Sequence, residues 1–123
     1  MNELSKLMVV FAGGGLGASL RYIIGLCVRT PSSGFPMSTF AVNISGCLLI
    51  GLLYPLLNFG NETLKLFVLI GIIGGFTTFS ALGNETFQLM SRGQNQTALV
   101  YVILSNICGL LAVYLGSKIS SIF

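Results

Sequence analysis

Histidine and tryptophan are absent from the 123 residues, and only three side chains are acidic, Glu3, Glu62 and Glu85. General acid–base chemistry and metal-dependent hydrolysis draw on those residue types. The chain is therefore not expected to be an enzyme. Charged residues make up 7% of it, against about 25% in a soluble domain, which points to an integral membrane protein. Cysteine is sparse as well: Cys27, Cys47 and Cys108 form no close pair. An odd number without metal-like spacing excludes a disulfide framework and a zinc site, so they read as packing residues. The net charge of +3 is small and spread along the chain, which leaves no basic patch for nucleic acid. The start carries Glu3 and runs directly into a full span, unlike a cleaved signal.

What the chain has instead is apolar length. It is 54% hydrophobic, with a mean hydropathy of +0.91. Uncharged stretches cover Leu7–Leu20 (resuming after Arg21 to Val28), Pro31–Gly60, Leu66–Asn84 and Gly93–Ser117. Each supplies the roughly 20 apolar residues that a membrane helix needs. The expectation is one domain, 1–123, all-α, with four transmembrane helices near 4–28, 39–57, 65–90 and 97–119.

The first helix contains Gly13-Gly14-Gly15-Leu16-Gly17-Ala18-Ser19. No strand precedes these glycines and no acidic residue follows at the right distance, so they are not a dinucleotide-binding turn. Gly13 and Gly17 form a small-xxx-small face for close helix packing. Arg21 is an intramembrane charge, either functional by default or a snorkelling, structural arginine. Pro31-Ser32-Ser33-Gly34-Phe35-Pro36 makes the first loop. Asn43 is the strongly polar residue of the second helix, placed to join helices or to offer its NH2 to an anion. Pro55 and Asn58-Phe59-Gly60-Asn61 close that span. In the fourth helix Tyr101 and Ser105 lie four apart on one face, and with Gly109 they make a narrow polar stripe that suits a conduit lining.

The third span is interrupted. Gly71-Ile72-Ile73-Gly74-Gly75-Phe76-Thr77-Thr78-Phe79-Ser80 places paired glycines and paired threonines at mid-length, and both types are poor helix formers. Freed backbone groups persist at bilayer depth only where protein or a water-filled cavity satisfies them. Gly74–Thr78 is thus expected as a break whose carbonyls face a cation. The other reading is a glycine face for helix packing.

With four spans both termini lie on one side. That side carries Lys6, Lys65 and Lys118, and the other Arg21, Arg29 and Arg92. Orientation follows the Lys/Arg bias between sides, and the tally here is even. Either an unseen feature fixes the orientation, or the chain inserts both ways and pairs antiparallel.

Gly74-Gly75-Phe76-Thr77-Thr78-Phe79-Ser80 with Asn84-Glu85-Thr86, preceded by Gly15-Leu16-Gly17-Ala18-Ser19-Leu20-Arg21-Tyr22 and Thr39-Phe40-Ala41-Val42-Asn43, resembles the Fluc/CrcB family of fluoride channels. The likeness runs over essentially the whole chain. It implies a dual-topology, antiparallel homodimer in the inner (plasma) membrane that exports cytoplasmic fluoride passively, a paralogous partner subunit being the alternative to self-pairing. It also implies a structural sodium ion at the dimer centre, held by the backbone carbonyls of Gly74 and Thr77. The family's two pore phenylalanines correspond to Phe79 and to Leu82, the latter a departure, since leucine lacks the electropositive ring edge. Asn43 corresponds to the pore-entry amide, Tyr101 and Ser105 to the polar track, and Thr78 adds a hydroxyl. Farther along that track, where the family often has hydroxyls, stand Gly109 and Val113. Arg21 takes a structural or vestibular place, and Glu85 a capping or pairing one, because a carboxylate repels fluoride.

Two other readings compete with this one. A small multidrug-resistance exporter shares the length and span number, but it needs a carboxylate within the first helix, and Glu3 precedes that helix. A non-transporting assembly subunit would account for the glycine faces but not for the interrupted third span.

Overall fold

The computed structural model describes residues 1–58 and 60–122; Phe59, within the expected end of the second span, lies outside the described residues. Helix α1 is Glu3–Cys27 and α2 is Met37–Asn58. The third span consists of α3 (Glu62–Lys65), a π-helical segment (Leu66–Ile73), α4 (Gly74–Phe76) and α5 (Phe79–Ser91). Helix α6 is Asn95–Ser120. Among the described residues, four helical stretches are long and apolar enough to cross a membrane: Glu3–Cys27, Met37–Leu57, Glu62–Ser91 and Asn95–Ser120.

Local chemistry sets the ends. Asn2 caps α1 by accepting from the Ser5 amide at 2.8 Å, and Asn61 caps α3 by accepting from Thr63 and Leu64. Such side-chain oxygens satisfy otherwise orphaned first-turn amides. The turns at Gly34 and Gly93 have φ of 78° and 74°, a region glycine enters without steric cost. Pro55 does not end α2; it sits inside its last turns, where its ring removes one ladder hydrogen bond.

Glycines bring the helices together. A methyl on Gly71 would lie 2.8 Å from the Gly13 Cα, and one on Gly75 would meet the Gly14 backbone. The π-helical segment and α4 therefore pack backbone to backbone against α1. Helix α2 packs along α6 in the same manner, through Gly51 and Gly116. Large apolar side chains on every span stay exposed, including Phe11, Leu20, Leu56, Ile70 and Leu110, as suits helices solvated by lipid. Val42 and Tyr101 are the largest fully enclosed side chains. Tyr101 joins Leu82, Leu89 and Ala98 in a cluster covered by Phe35 and Phe40, with the Phe35 ring edge-on to Tyr101 at 5.2 Å.

The two positive ends of α1 and α3 come together as the topology requires. Lys6 bridges Glu62 at 3.0 Å and Glu3 at 3.3 Å, so both helices start on the same side.

Candidate functional site

The third span opens at two residues, Thr77 (φ −77°, ψ 157°) and Thr78 (φ −153°, ψ 118°), both extended. This is narrower than the Gly74–Thr78 break expected from the sequence, because Gly74 is still helical at φ −62°, ψ −38°. The two readings of the stretch divide it between them. Gly71 and Gly75 allow close approach to α1, and the threonines, whose hydroxyls compete for backbone partners, open the helix.

Side chains hold the opening in place. The Asn43 amide pairs with Thr78 on both sides, accepting from its N–H at 2.8 Å and donating to its carbonyl at 3.0 Å. The Thr78 hydroxyl then caps α5 by accepting from the Ala81 amide at 3.2 Å, and it lies 3.2 Å from Ser80 Oγ. Thr77 Oγ1 donates back to the Ile73 carbonyl at 3.0 Å. In an unbroken helix the Thr78 amide would serve the Gly74 carbonyl and the Ala81 amide the Thr77 carbonyl. Both donors are diverted. From α1, Arg21 Nε donates to the Gly75 carbonyl at 3.3 Å, which places that arginine on the backbone just before the opening.

Beside the opening lies a cavity of about 480 Å³, whose walls include Asn43, Gly74, Thr77, Thr78, Phe79, Leu82, Ser105 and Asn106. Phe79 is 81% exposed at its rim, whereas Leu82 is 7% exposed and backs onto the Tyr101 cluster. Ser105 Oγ is buried and has no hydrogen-bond partner among the described residues. Asn106, next to it on the wall, donates to the Val102 carbonyl at 2.8 Å. Chemically the cavity offers spare amide N–H groups from Asn43 and Asn106, a serine hydroxyl and a ring, with no carboxylate in its lining.

Tyr101 lies behind this wall. Its hydroxyl donates to Glu85 Oε2 at 2.6 Å, while Thr39 Oγ1 donates to Glu85 Oε1 at 2.7 Å. One carboxylate thus ties α5 to α6 and to α2, and the Tyr101 proton is committed to it. Glu85 also borders a smaller pocket, of about 210 Å³, near Thr30, Gln88 and Arg92. Of the residues singled out from the sequence, Asn43, Gly74, Thr77, Thr78, Phe79, Leu82 and Ser105 meet at one cavity, while Tyr101, Glu85 and Arg21 stand around it. Sequence reasoning missed Thr39 as a partner and Asn106 as a wall residue. Thr39 was findable as the hydroxyl one turn before Asn43 on the same face; Asn106, flanking the polar stripe, gave no comparable signal. Among the described residues no group of three or more His, Cys, Asp or Glu forms a metal centre, and all three cysteines are free thiols.

Residues 8–117 match the family described as CrcB-like protein, Camphor Resistance (CrcB). A protein of Phocaeicola vulgatus named fluoride-specific ion channel FluC is 42% identical over 116 residues, which is 92% of this chain and 96% of that one. One of Azobacteroides pseudotrichonymphae with the same name is 40% identical over 124 residues, covering 98% and 99%. Another, of Paracoccus denitrificans, is 45% identical over 108 residues, covering 87% of each. These relatives are named as channels and not as enzymes. With four helices able to cross a bilayer and relatives of this kind over nearly its full length, the chain is a multi-pass membrane protein that belongs to the CrcB-like family.

Proposed function

We propose that the protein is a fluoride-selective channel that lets cytoplasmic fluoride leave the cell passively across the inner membrane, working as an antiparallel, dual-topology homodimer. The observation that carries this reading is the unpartnered, buried Ser105 hydroxyl on a wall shared with Phe79 and the Asn43 amide. Fluoride is small and strongly hydrated, so passage requires donors that replace its water shell stepwise. Asn43 keeps one N–H beyond the one given to Thr78, Ser105 supplies an O–H, and the electropositive edge of Phe79 supplies a weak, non-titrating contact. Leu82 contributes an apolar wall in place of a second ring. The absence of any carboxylate from the lining favours an anion and leaves no group to trade protons, which supports electrodiffusion over exchange.

The residues at the opening also suit a sodium ion. Gly74 and Thr77 present carbonyl oxygens whose helical donors are bonded elsewhere, and carbonyl oxygens are the ligands a hard monovalent cation takes at a broken helix. These two carbonyls would hold the ion, with their counterparts from a second subunit. A bound cation there would supply positive charge near the anion path and join the subunits. Phe79, 81% exposed on the isolated chain, supports a second copy covering this face.

The test is fluoride efflux from liposomes holding the purified protein alone, with chloride as control and Phe79→Ile alongside. Fast efflux of fluoride but not chloride, abolished by Phe79→Ile, is the expected result. No efflux from folded protein, alone or with a co-expressed paralogue, would overturn the assignment.

A further inference from the structure

The carbonyls of Gly74 and Thr77 lose their helical donors because two side chains bond the Thr78 and Ala81 amides. We infer that Asn43 and Thr78 are positioning residues that set the affinity of the cation site, by withholding the Thr78 and Ala81 amides from the Gly74 and Thr77 carbonyls. The inference rests on the sodium reading above and adds to it a cause within this chain.

Asn43 Oδ1 accepts the Thr78 N–H at 2.8 Å, and Asn43 Nδ2 answers with a 3.0 Å bond to the Thr78 carbonyl. An amide side chain here imitates a neighbouring strand, and it stabilises the extended backbone of Thr78. Thr78 Oγ1 does the equivalent one step later, accepting the Ala81 N–H at 3.2 Å. Each capture takes from one carbonyl the donor that an unbroken helix would give it. At bilayer depth a freed carbonyl needs a partner from protein, water or an ion, so a cation that satisfies two of them is bound more tightly the more firmly the competing amides are held off. Asn43, Gly74, Thr77 and Thr78 all border the same cavity, so Asn43 serves the anion path with one N–H and the cation site with its carbonyl oxygen.

These two duties separate by substitution. Asn43→Leu loses the acceptor and returns the Thr78 amide to Gly74. Asn43→Asp keeps an acceptor for that amide but adds a charge that repels fluoride. Thr78→Val removes the acceptor for the Ala81 amide, while Thr78→Ser retains it. The measurement is the sodium concentration that gives half of the sodium-dependent rise in thermal midpoint, for full-length protein purified in detergent with N-methylglucamine as the replacement cation. Wild type and Thr78→Ser should respond alike, whereas Asn43→Asp, whose added charge attracts a cation as it repels fluoride, should need no more sodium than wild type and carry little fluoride in liposomes. Asn43→Leu and Thr78→Val should need about 10–100-fold more sodium, the usual cost of losing a group that orients a metal ligand. If Asn43→Leu does not fold, Thr78→Val decides alone. An unshifted sodium response in the folded variants would overturn the positioning role while leaving the sodium site standing. A wild-type protein indifferent to sodium would overturn the site itself, and this inference with it.

Discussion

Among the described residues two buried hydroxyls, Ser105 and Ser120, have no hydrogen-bond partner, and of the two Ser105 lines the cavity. Ser45, Thr77, Thr86 and Ser91 all donate to the carbonyl four residues back, at 2.7–3.0 Å, whereas Ser105 Oγ is buried without a partner. A buried, unsatisfied hydroxyl is destabilising by about 1–3 kcal/mol, so a fold that retains one gains nothing in stability from it. Ser105→Ala should therefore leave the thermal midpoint unchanged or raise it. Fluoride efflux should fall about tenfold or more, since a hydrogen bond to a charged group contributes about 1.5–3 kcal/mol and 1.4 kcal/mol is a factor of ten. Parallel melting and liposome-efflux measurements separate the two effects; a variant that melts early and conducts normally would refute the donor role. Ser105 was legible from its spacing to Tyr101, but the different fates of the two hydroxyls were not. Tyr101 is engaged by Glu85, 16 residues away in sequence, and periodicity along one helix carries no information about which residue of another helix reaches it.

Along the elements, the glycines divide into those that a neighbour's backbone touches and those that it does not. A methyl on Gly17 would meet the Ile72 carbonyl and the Phe76 amide, whereas one on Gly15, two residues away, has nothing within 4 Å. Gly17→Ala must push α1 away from the π-helical segment and α4, at a cost of about 1–3 kcal/mol or more. Gly15→Ala gains helix propensity instead, by up to about 1 kcal/mol. The expected outcome is a loss of monodisperse, folded protein on size exclusion for Gly17→Ala and a wild-type or higher thermal midpoint for Gly15→Ala; equal behaviour of the two would sink the packing account. The glycine face of α1 was readable as Gly13 and Gly17, since small residues four apart have a recognised use in membranes. The third span was harder. Glycine serves both a break and a close contact, so Gly74-Gly75 could not be separated from Thr77-Thr78 without the partners Gly14, Asn43 and Ala81. The π-helical run Leu66–Ile73 has no composition of its own, being as apolar and β-branched as any buried helix.

At the scale of the whole molecule, the spans were legible because hydropathy and length are local properties, while assembly depends on surfaces that one chain leaves open. The charge tally bridges the two. Lys6, Lys65 and Lys118 stand at one end and Arg21, Arg29 and Arg92 toward the other, and part of the Lys6 charge is matched by Glu3 and Glu62, although acidic residues contribute little to orientation. The proposed antiparallel dimer requires that a chain so balanced insert in both orientations. Removing charge from one end should bias it. Lys65→Gln with Lys118→Gln leaves one basic residue against three, and Arg29→Gln with Arg92→Gln gives the opposite bias. The first pair gives up Lys65 over the Tyr54 ring at 5.9 Å and Lys118 over the Tyr114 ring at 5.5 Å, and the second the 3.4 Å bond from Arg92 to Gln88, contacts outside the helix-packing faces, so folding should survive. Either double variant alone should insert one way and give little fluoride efflux from cells, because no oppositely oriented copy is present to complete the dimer. Co-expressed, the two should restore efflux toward the wild-type level, with a C-terminal reporter placing the variants on opposite sides of the membrane. Full efflux from a variant shown by the reporter to insert in a single orientation would rule out the antiparallel arrangement. The proposed sodium site, if shared between two copies, would then need a parallel geometry in which their Gly74 and Thr77 carbonyls face the same way.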